Sequence, residues 1–282
     1  MHWLIIGAGY VGTALAHELK KRGHSFTGVS RSDDSSLKWK ILGFNFKQMD
    51  ASRPDVADLM SPAPDVILYC VAAGRGGGVD GYRKTYLSGF NNIVQECKRQ
   101  NISPHFIFIS STSVYPQTSG EWVTECDVPS IVPDMARVLL DAEEACLGTG
   151  NGTVLRLAGI YGPGRGVLFE KFMNGSATID NPNRFLNHIH RDDIVQGILQ
   201  VAESAVSKNK VFNLVDNEPV QLLEFYKWIA LRTNLPIPAS GETSTSRFGR
   251  TNKRVTNEVL LKLTGMHLKF PTFREGFESL GF

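Results

Sequence analysis

The segment Gly7-Ala8-Gly9-Tyr10-Val11-Gly12 places three glycines in the spacing GxGxxG, directly after the apolar run HWLII and ahead of a stretch with Leu15 and Leu19 on one helical face. Glycines so placed can do one particular job. The first permits a tight turn, the second lets a pyrophosphate approach the backbone, and the third lets helix and strand pack closely. The helix N-terminus then supplies amide donors and a positive dipole end. A dinucleotide is therefore expected against Gly7, Gly9, Tyr10, Val11 and Gly12; the competing reading is a glycine turn without a ligand.

Cofactor choice should be written at the end of the second strand, where an Asp or Glu about 20 residues further on takes the ribose 2′-hydroxyl of NAD. This chain has Val29-Ser30-Arg31-Ser32 there and no carboxylate before Asp33. An arginine flanked by serines suits a 2′-phosphate, so Ser30, Arg31 and Ser32 predict NADP in preference to NAD. Otherwise Arg31 is a solvated loop residue and Asp33 serves the ribose. Asp50 and the run Val71, Ala72, Ala73 fall where an adenine ring and its ribose lie in such a sheet, against the plainer readings of a loop-capping Asp and a turn. The following GRGGG, 74–78, has glycines enough for a flexible flap over a cofactor, the plainer reading being a loose loop.

A second cluster, ISSTSVY at 109–115, ends a strand in hydroxyls. A serine alone is too weak an acid or base to move a substrate proton. What stands beside Ser111 therefore decides its use.

Between residues 2 and 158, short β-rich runs (HWLIIG, SFTGVS, NFKQM, DVILYCVAA, HFIFIS, TVLRLA) alternate with helical patterns, including about 82–99 and 134–147. This alternation predicts right-handed βαβ units and a parallel sheet. DVILYCVAA and HFIFIS are apolar almost throughout, as expected where helices cover both faces. The predicted fold class is α/β, a doubly wound Rossmann sheet with a small C-terminal substrate lobe. Residues 1–165 and about 190–216 are expected to form the dinucleotide-binding domain, and about 166–189 with 217–282 the lobe. The late polar stretch ASGETSTSRFGRTNKR, 239–254, reads as a mobile or ligand-facing loop.

Composition narrows the class. With 282 residues, 42% hydrophobic and 21% charged, and a formal charge of +2, the chain reads as an ordinary soluble domain without a nucleic-acid footprint. No apolar run reaches the roughly 18 residues of a membrane span. The N-terminal apolar stretch lacks a basic leader and is broken by glycines, so it is expected to belong to the fold. Four scattered cysteines, without a CxxC, predict reduced thiols in a cytoplasmic protein and no metal site. His188 and His190 beside Asp192 and Asp193 are not expected to ligate metal either; one of the two aspartates is expected to cap the helix that follows.

Taken together, GAGYVG at 7–12, SSTSVY at 110–115, LRLAGIYGPG at 155–164, IHRDDIV at 189–195 and FNLVDNEPV at 212–220 resemble the extended short-chain dehydrogenase/reductase superfamily, in its epimerase/dehydratase branch acting on nucleotide sugars. The resemblance implies a catalytic Ser or Thr four residues before the tyrosine of the VY pair, a Tyr-x-x-x-Lys on the next helix, and an Asn on the helix before. Ser111 meets the first requirement. Met135 and Leu139 stand where the tyrosine and lysine are expected, and Tyr86 where the Asn is. No tyrosine occurs between Tyr115 and Tyr161, and no lysine between Lys98 and Lys171, so the gap does not depend on alignment. In related enzymes lysine lowers the tyrosine pKa so that it can exchange a proton near neutral pH. The chain thus reads as an atypical oxidoreductase or epimerase/dehydratase of a nucleotide sugar, with Ser111 retained and Tyr86 the favoured candidate acid. The alternative is a non-catalytic NADP-binding sensor. Tyr161, Arg165, Asn187 and His190 are candidate substrate contacts, and Lys253 and Arg254 candidate diphosphate ligands. The resemblance also implies a homodimer through helices 82–99 and 133–147.

Overall fold

The computed structural model describes residues 1–74, 76–128, 131–241 and 251–282. Its strands are β1 His2–Ile6, β2 Ser25–Ser30, β3 Phe46–Gln48, β4 Val66–Tyr69, β5 His105–Ser111, β6 Glu121–Val123, β7 Gly152–Leu157, β8 Gly159–Tyr161, β9 Phe185–Leu186, β10 His188–His190, β11 Lys210–Leu214, β12 Val220–Gln221 and β13 Lys253–Val255. The helices are α1 Tyr10–Lys21, α2 Asp33–Ile41, α3 Gly78–Tyr82, α4 Gly89–Arg99, α5 Asp134–Leu147, α6 Val167–Met173, α7 Arg191–Glu203, α8 Leu222–Thr233, α9 Glu258–Thr264 and α10 Phe273–Glu278. A π-helical turn, Arg83–Ser88, joins α3 to α4.

Seven strands form one sheet in the order β11-β7-β5-β4-β1-β2-β3, and the pairs from β5 through β3 run parallel. Strand order reverses between β1 and β4. In an open α/β sheet that reversal leaves a crevice at the carboxyl ends of the two strands, where ligands bind. The expected doubly wound α/β class is the observed one.

By compactness the chain divides into two units. One comprises 1–114, 133–156 and 195–212; the other comprises 115–132, 157–194 and 213–282.

In the first unit, α1 buries Val11, Leu15, Ala16 and Leu19 at helical spacing and ends on Lys20 and Lys21, cations that suit the negative end of its dipole. Gly28 in β2 has no side chain because the Trp39 ring of α2 fills its place: a Cβ there would lie 2.2 Å from that ring. The Trp39 indole donates to Thr13 Oγ1 at 3.0 Å, so the buried ring keeps its hydrogen bond. Tyr69, Phe90 and Phe108 form the aromatic centre of the core on the other side of β1.

In the second unit, short strands pair β8 with β10, β9 with β12, and β6 with β13. Phe225, Trp228, Phe273 and Phe277 build its core.

A buried ion pair ties α5 to the sheet. Arg156, the penultimate residue of β7, donates to Glu143 through Nη2 at 2.7 Å and Nε at 3.1 Å, and Ser110 Oγ donates to the same carboxylate at 2.5 Å. Arg156 and Glu143 are both under 5% exposed. Removing one partner strands the other charge in the interior. Arg156→Met should therefore cost about 3–5 kcal/mol in urea unfolding; a loss below about 1 kcal/mol would show that the pair does not hold α5.

Candidate functional site

The glycine turn follows β1 at the strand-order reversal. Gly7 has φ +115°, a conformation that favours glycine, and its N–H and that of Ala8 both donate to Val29 O, at 2.9 and 3.1 Å. A Cβ on Gly7 would lie 2.5 Å from the carbonyl oxygen of Cys70, just beyond β4. A Cβ on Gly12 would lie 2.3 Å from Gly7 O. Around Gly9, by contrast, a Cβ would meet no atom within 4 Å. The first and third glycines are thus consumed by packing, while the second faces open space at the N-terminus of α1, which no side chain of Gly9 can cap. Tyr10, Val11 and Gly12 form the first turn of that helix. The residues present fit a dinucleotide pyrophosphate.

At the end of β2, Ser30 Oγ accepts the Ser32 N–H at 3.3 Å, and Ser32 Oγ accepts the Ser35 N–H and caps α2. Arg31 between them is exposed and forms no salt bridge among the described residues. Its guanidinium lies 3.6 Å from where a side chain on Gly74 would begin, which brings it toward the end of β4. Asp33 is turned elsewhere: its carboxylate accepts Gln48 Nε2 at 2.6 Å.

Asp50, after β3, accepts both the backbone N–H and the hydroxyl of Ser52, at 3.0 and 2.7 Å. Burial opposes its ionisation, but the Ser52 hydrogen bonds and the charges of Arg31 and Lys84 outweigh it and hold the carboxyl below its ordinary value. Beyond β4, Ala73 donates its N–H to the Tyr86 hydroxyl at 3.3 Å. Val71 and Ala73 are half-buried and Ala72 is exposed. Arg75 of the supposed flap lies outside the described residues.

Ser111 closes β5, half-buried, with Oγ accepting the Ser113 N–H at 3.1 Å. That bond uses an oxygen lone pair and leaves the hydroxyl proton to be donated. On α5, Met135 is half-buried and Leu139 is buried. Glu143 and Arg156 lie beneath this segment, joined to it through Ser110. A charge inside the run VLRLA is a legible signal, because an arginine in a buried strand requires a partner.

In the second unit most candidate substrate residues are engaged by the fold. Tyr161 is 2% exposed, stacks on Phe277 at 4.7 Å, and donates to Thr272 O at 3.4 Å; its hydroxyl occupies the space beside Gly276, where a Cβ would lie 1.9 Å away. Asn187 spends its amide on β13, with Nδ2 donating to Lys253 O at 3.0 Å and Oδ1 accepting the Val255 N–H at 2.8 Å. His190 is buried against Phe270, its Nδ1 accepts the Asp192 N–H, and burial pushes its pKa down to about 4, so it is neutral. Arg165 is exposed, in a tight turn closed by two Gly162–Arg165 backbone hydrogen bonds.

Three readings change in detail. Neither Asp192 nor Asp193 precedes the helix as its cap, since α7 begins at Arg191 and both lie in its first turn; Asp193 is fully buried and accepts the Lys269 and Phe270 N–H groups at 2.6 and 3.0 Å, anchoring the C-terminal segment. Lys253 is buried and donates to Tyr115 O at 2.7 Å and Thr251 Oγ1 at 3.1 Å, and burial pushes its pKa down to about 8. Arg254 donates to Gly120 O and lies over the Trp122 and Phe185 rings. Residues 242–250 of the late polar loop lie outside the described residues. Among the described residues, no group of three potential metal ligands assembles, and no helix is long and apolar enough to cross a membrane.

The doubly wound sheet and the glycine turn at its strand-order reversal define a Rossmann-type α/β protein. A model of the NAD dependent epimerase/dehydratase family matches residues 3–214, and the chain belongs to that family. It is 27% identical over 266 residues to Protein YeeZ of Escherichia coli (strain K12), covering 90% of this chain and 93% of the relative. A solved structure from Methylobacillus flagellatus, described among the NAD-dependent epimerase/dehydratases, is 30% identical with a TM-score of 0.80, covering 99% of this chain and 97% of that one. UDP-glucuronic acid 4-epimerase from Bacillus cereus, solved with UDP-glucuronic acid and NAD, shares the fold with a TM-score of 0.83 at 19% identity, over 99% of this chain and 97% of that one.

The three glycines should separate on substitution. Gly7→Ala should lower stability by at least about 2 kcal/mol in denaturant titration, from strained φ and the clash with Cys70. Gly9→Ala should lower it by no more than about 1 kcal/mol, yet raise the dinucleotide Kd about tenfold or more, because its methyl stands where a pyrophosphate approaches. Unchanged dinucleotide affinity in Gly9→Ala would remove the turn from the cofactor site.

Proposed function

We propose that this protein binds NADP in preference to NAD and acts as an atypical oxidoreductase or epimerase/dehydratase on a nucleotide sugar. The observation that carries the cofactor reading is the pairing of an exposed Arg31, near Gly74, with an Asp33 whose carboxylate is turned to Gln48. A guanidinium that forms no salt bridge among the described residues suits a 2′-phosphate, whereas an occupied carboxylate is poorly placed for a 2′-hydroxyl. Against this, Asp33 and Asp34 in the first turn of α2 offset the helix dipole, so Arg31 must supply the attraction. The bound nicotinamide would accept and return a hydride.

The chain's own contribution begins with the glycine turn, which holds the pyrophosphate, and Asp50 with Val71–Ala73, which flank the adenosine. Ser111 keeps a hydroxyl proton to offer a substrate oxygen. The standard Tyr-x-x-x-Lys pair is absent from the interval after Ser111, so the proton donor must come from elsewhere, and Tyr86 is the favoured candidate. The nucleotide-sugar class is supported by relatives of low identity, among them UDP-glucuronate 4-epimerase 2 of Arabidopsis thaliana. A second reading, a cofactor-binding sensor without turnover, is favoured by the same loss of tyrosine and lysine.

Arg31→Ala should raise the NADPH Kd about 10- to 100-fold and the NADH Kd less than about threefold, the effect of one charge-assisted contact. Equal effects on both would overturn the NADP preference. The purified protein, given NADPH with a panel of nucleotide sugars and simple carbonyls, should oxidise the cofactor with at least one of them. Tight NADPH binding without turnover across the panel would favour the sensor.

A further inference from the structure

The helix that begins at Gly78 changes register partway along. It passes at Arg83 into the π-helical turn Arg83–Ser88 and resumes as α4 at Gly89. There the Gly89 N–H donates to Lys84 O, five residues back. In an α-helix that amide would have gone to Thr85 O, four residues back, so the wide turn deprives the Thr85 carbonyl of its α-helical partner.

The replacement comes from the sheet. Tyr69, the last residue of β4, donates its hydroxyl to Thr85 O at 2.6 Å. Gly89 makes the entry possible, since a Cβ at that position would lie 2.2 Å from the Tyr69 hydroxyl oxygen. The ring has little freedom: it stacks on Phe108 at 5.8 Å and meets Phe90 edge-on at 5.4 Å. Burial pushes the Tyr69 pKa well above that of an ordinary phenol, so the hydroxyl remains a donor.

Tyr86 lies within the same turn, and its hydroxyl accepts the Ala73 N–H at 3.3 Å. Restoring the α register would rotate the flanking helical segments relative to one another by roughly 100° and remove Tyr86 from that contact. We propose that Tyr69 is a positioning residue: its hydroxyl, wedged at Gly89, holds the π register and thereby the Tyr86 hydroxyl that fastens the Val71–Ala73 loop against a bound dinucleotide. The role at the cofactor rests on the dinucleotide-binding reading above; the role in the helix does not.

The test is a double-mutant cycle on Tyr69→Phe and Tyr86→Phe, with NADPH and NADH Kd measured by fluorescence and amide exchange followed over residues 83–89 in the full chain. Each single substitution should raise the Kd about five- to tenfold, the loss of one hydrogen bond, and the double should raise it no further than the larger single. Amides of 83–89 should exchange faster in Tyr69→Phe, with those of β1 unchanged. Additive effects on Kd, or a Tyr69→Phe protein with native affinity and native protection over 83–89, would overturn the proposal. If the unmodified protein binds neither nucleotide, the cofactor reading fails by itself, and the exchange result alone decides whether Tyr69 holds the turn.

Discussion

The first unit depends on one close approach, between the α-carbon of Gly7 and the carbonyl of Cys70. β1 and β4 are neighbours in the sheet, and the chain leaves both at the point where strand order reverses. A side chain at residue 7 would collide with Cys70 O. With hydrogen there instead, the backbone turns back to donate to Val29 O and starts α1 within a few residues. Gly12 repeats the constraint one turn later, against Gly7 O. Only after these contacts are made does Gly9 stand in open space before an uncapped helix end. The open space at Gly9 is thus a by-product of two steric requirements met on either side of it.

Around that turn the polar groups divide into those satisfied locally and those left facing outward. Ser32, Asp33 and Asp50 each take hydrogen bonds from near neighbours. Arg31 forms no such pair among the described residues, and its charge is felt at Asp50. The hydroxyl of Ser111 holds a local backbone amide, and Ser110 beside it is committed to Glu143. The buried Glu143–Arg156 pair therefore supports the end of β5 from below without itself being available for chemistry.

Much of the first unit was legible in the chain. The alternation of apolar runs with helical patterns gave the order of elements, and α5 begins and ends at the expected residues, 134–147. DVILYCVAA forms a strand only over Val66–Tyr69, and the next residue, Cys70, is the one whose carbonyl leaves no room for a side chain at Gly7. The π turn was not legible: its register is set by a hydroxyl from β4, a partner fourteen or more residues away in sequence. The short strands of the second unit escaped for a similar reason. Two- and three-residue strands carry no periodicity, and pairings such as β6 with β13 join segments more than a hundred residues apart.

The sequence by itself determined the presence of a GxGxxG turn, an arginine rather than a carboxylate after β2, and the absence of tyrosine between Tyr115 and Tyr161 and of lysine between Lys98 and Lys171. These are statements about which residues exist and in what order, and no folding can alter them. The tertiary structure decided which polar side chains remain for a ligand. Tyr161, Asn187, His190 and Lys253 all look chemically capable in the chain, yet each is buried or bonded to backbone from a distant segment. A buried polar group must find a partner inside the protein, and which groups are buried depends on segments that meet only once the chain has folded.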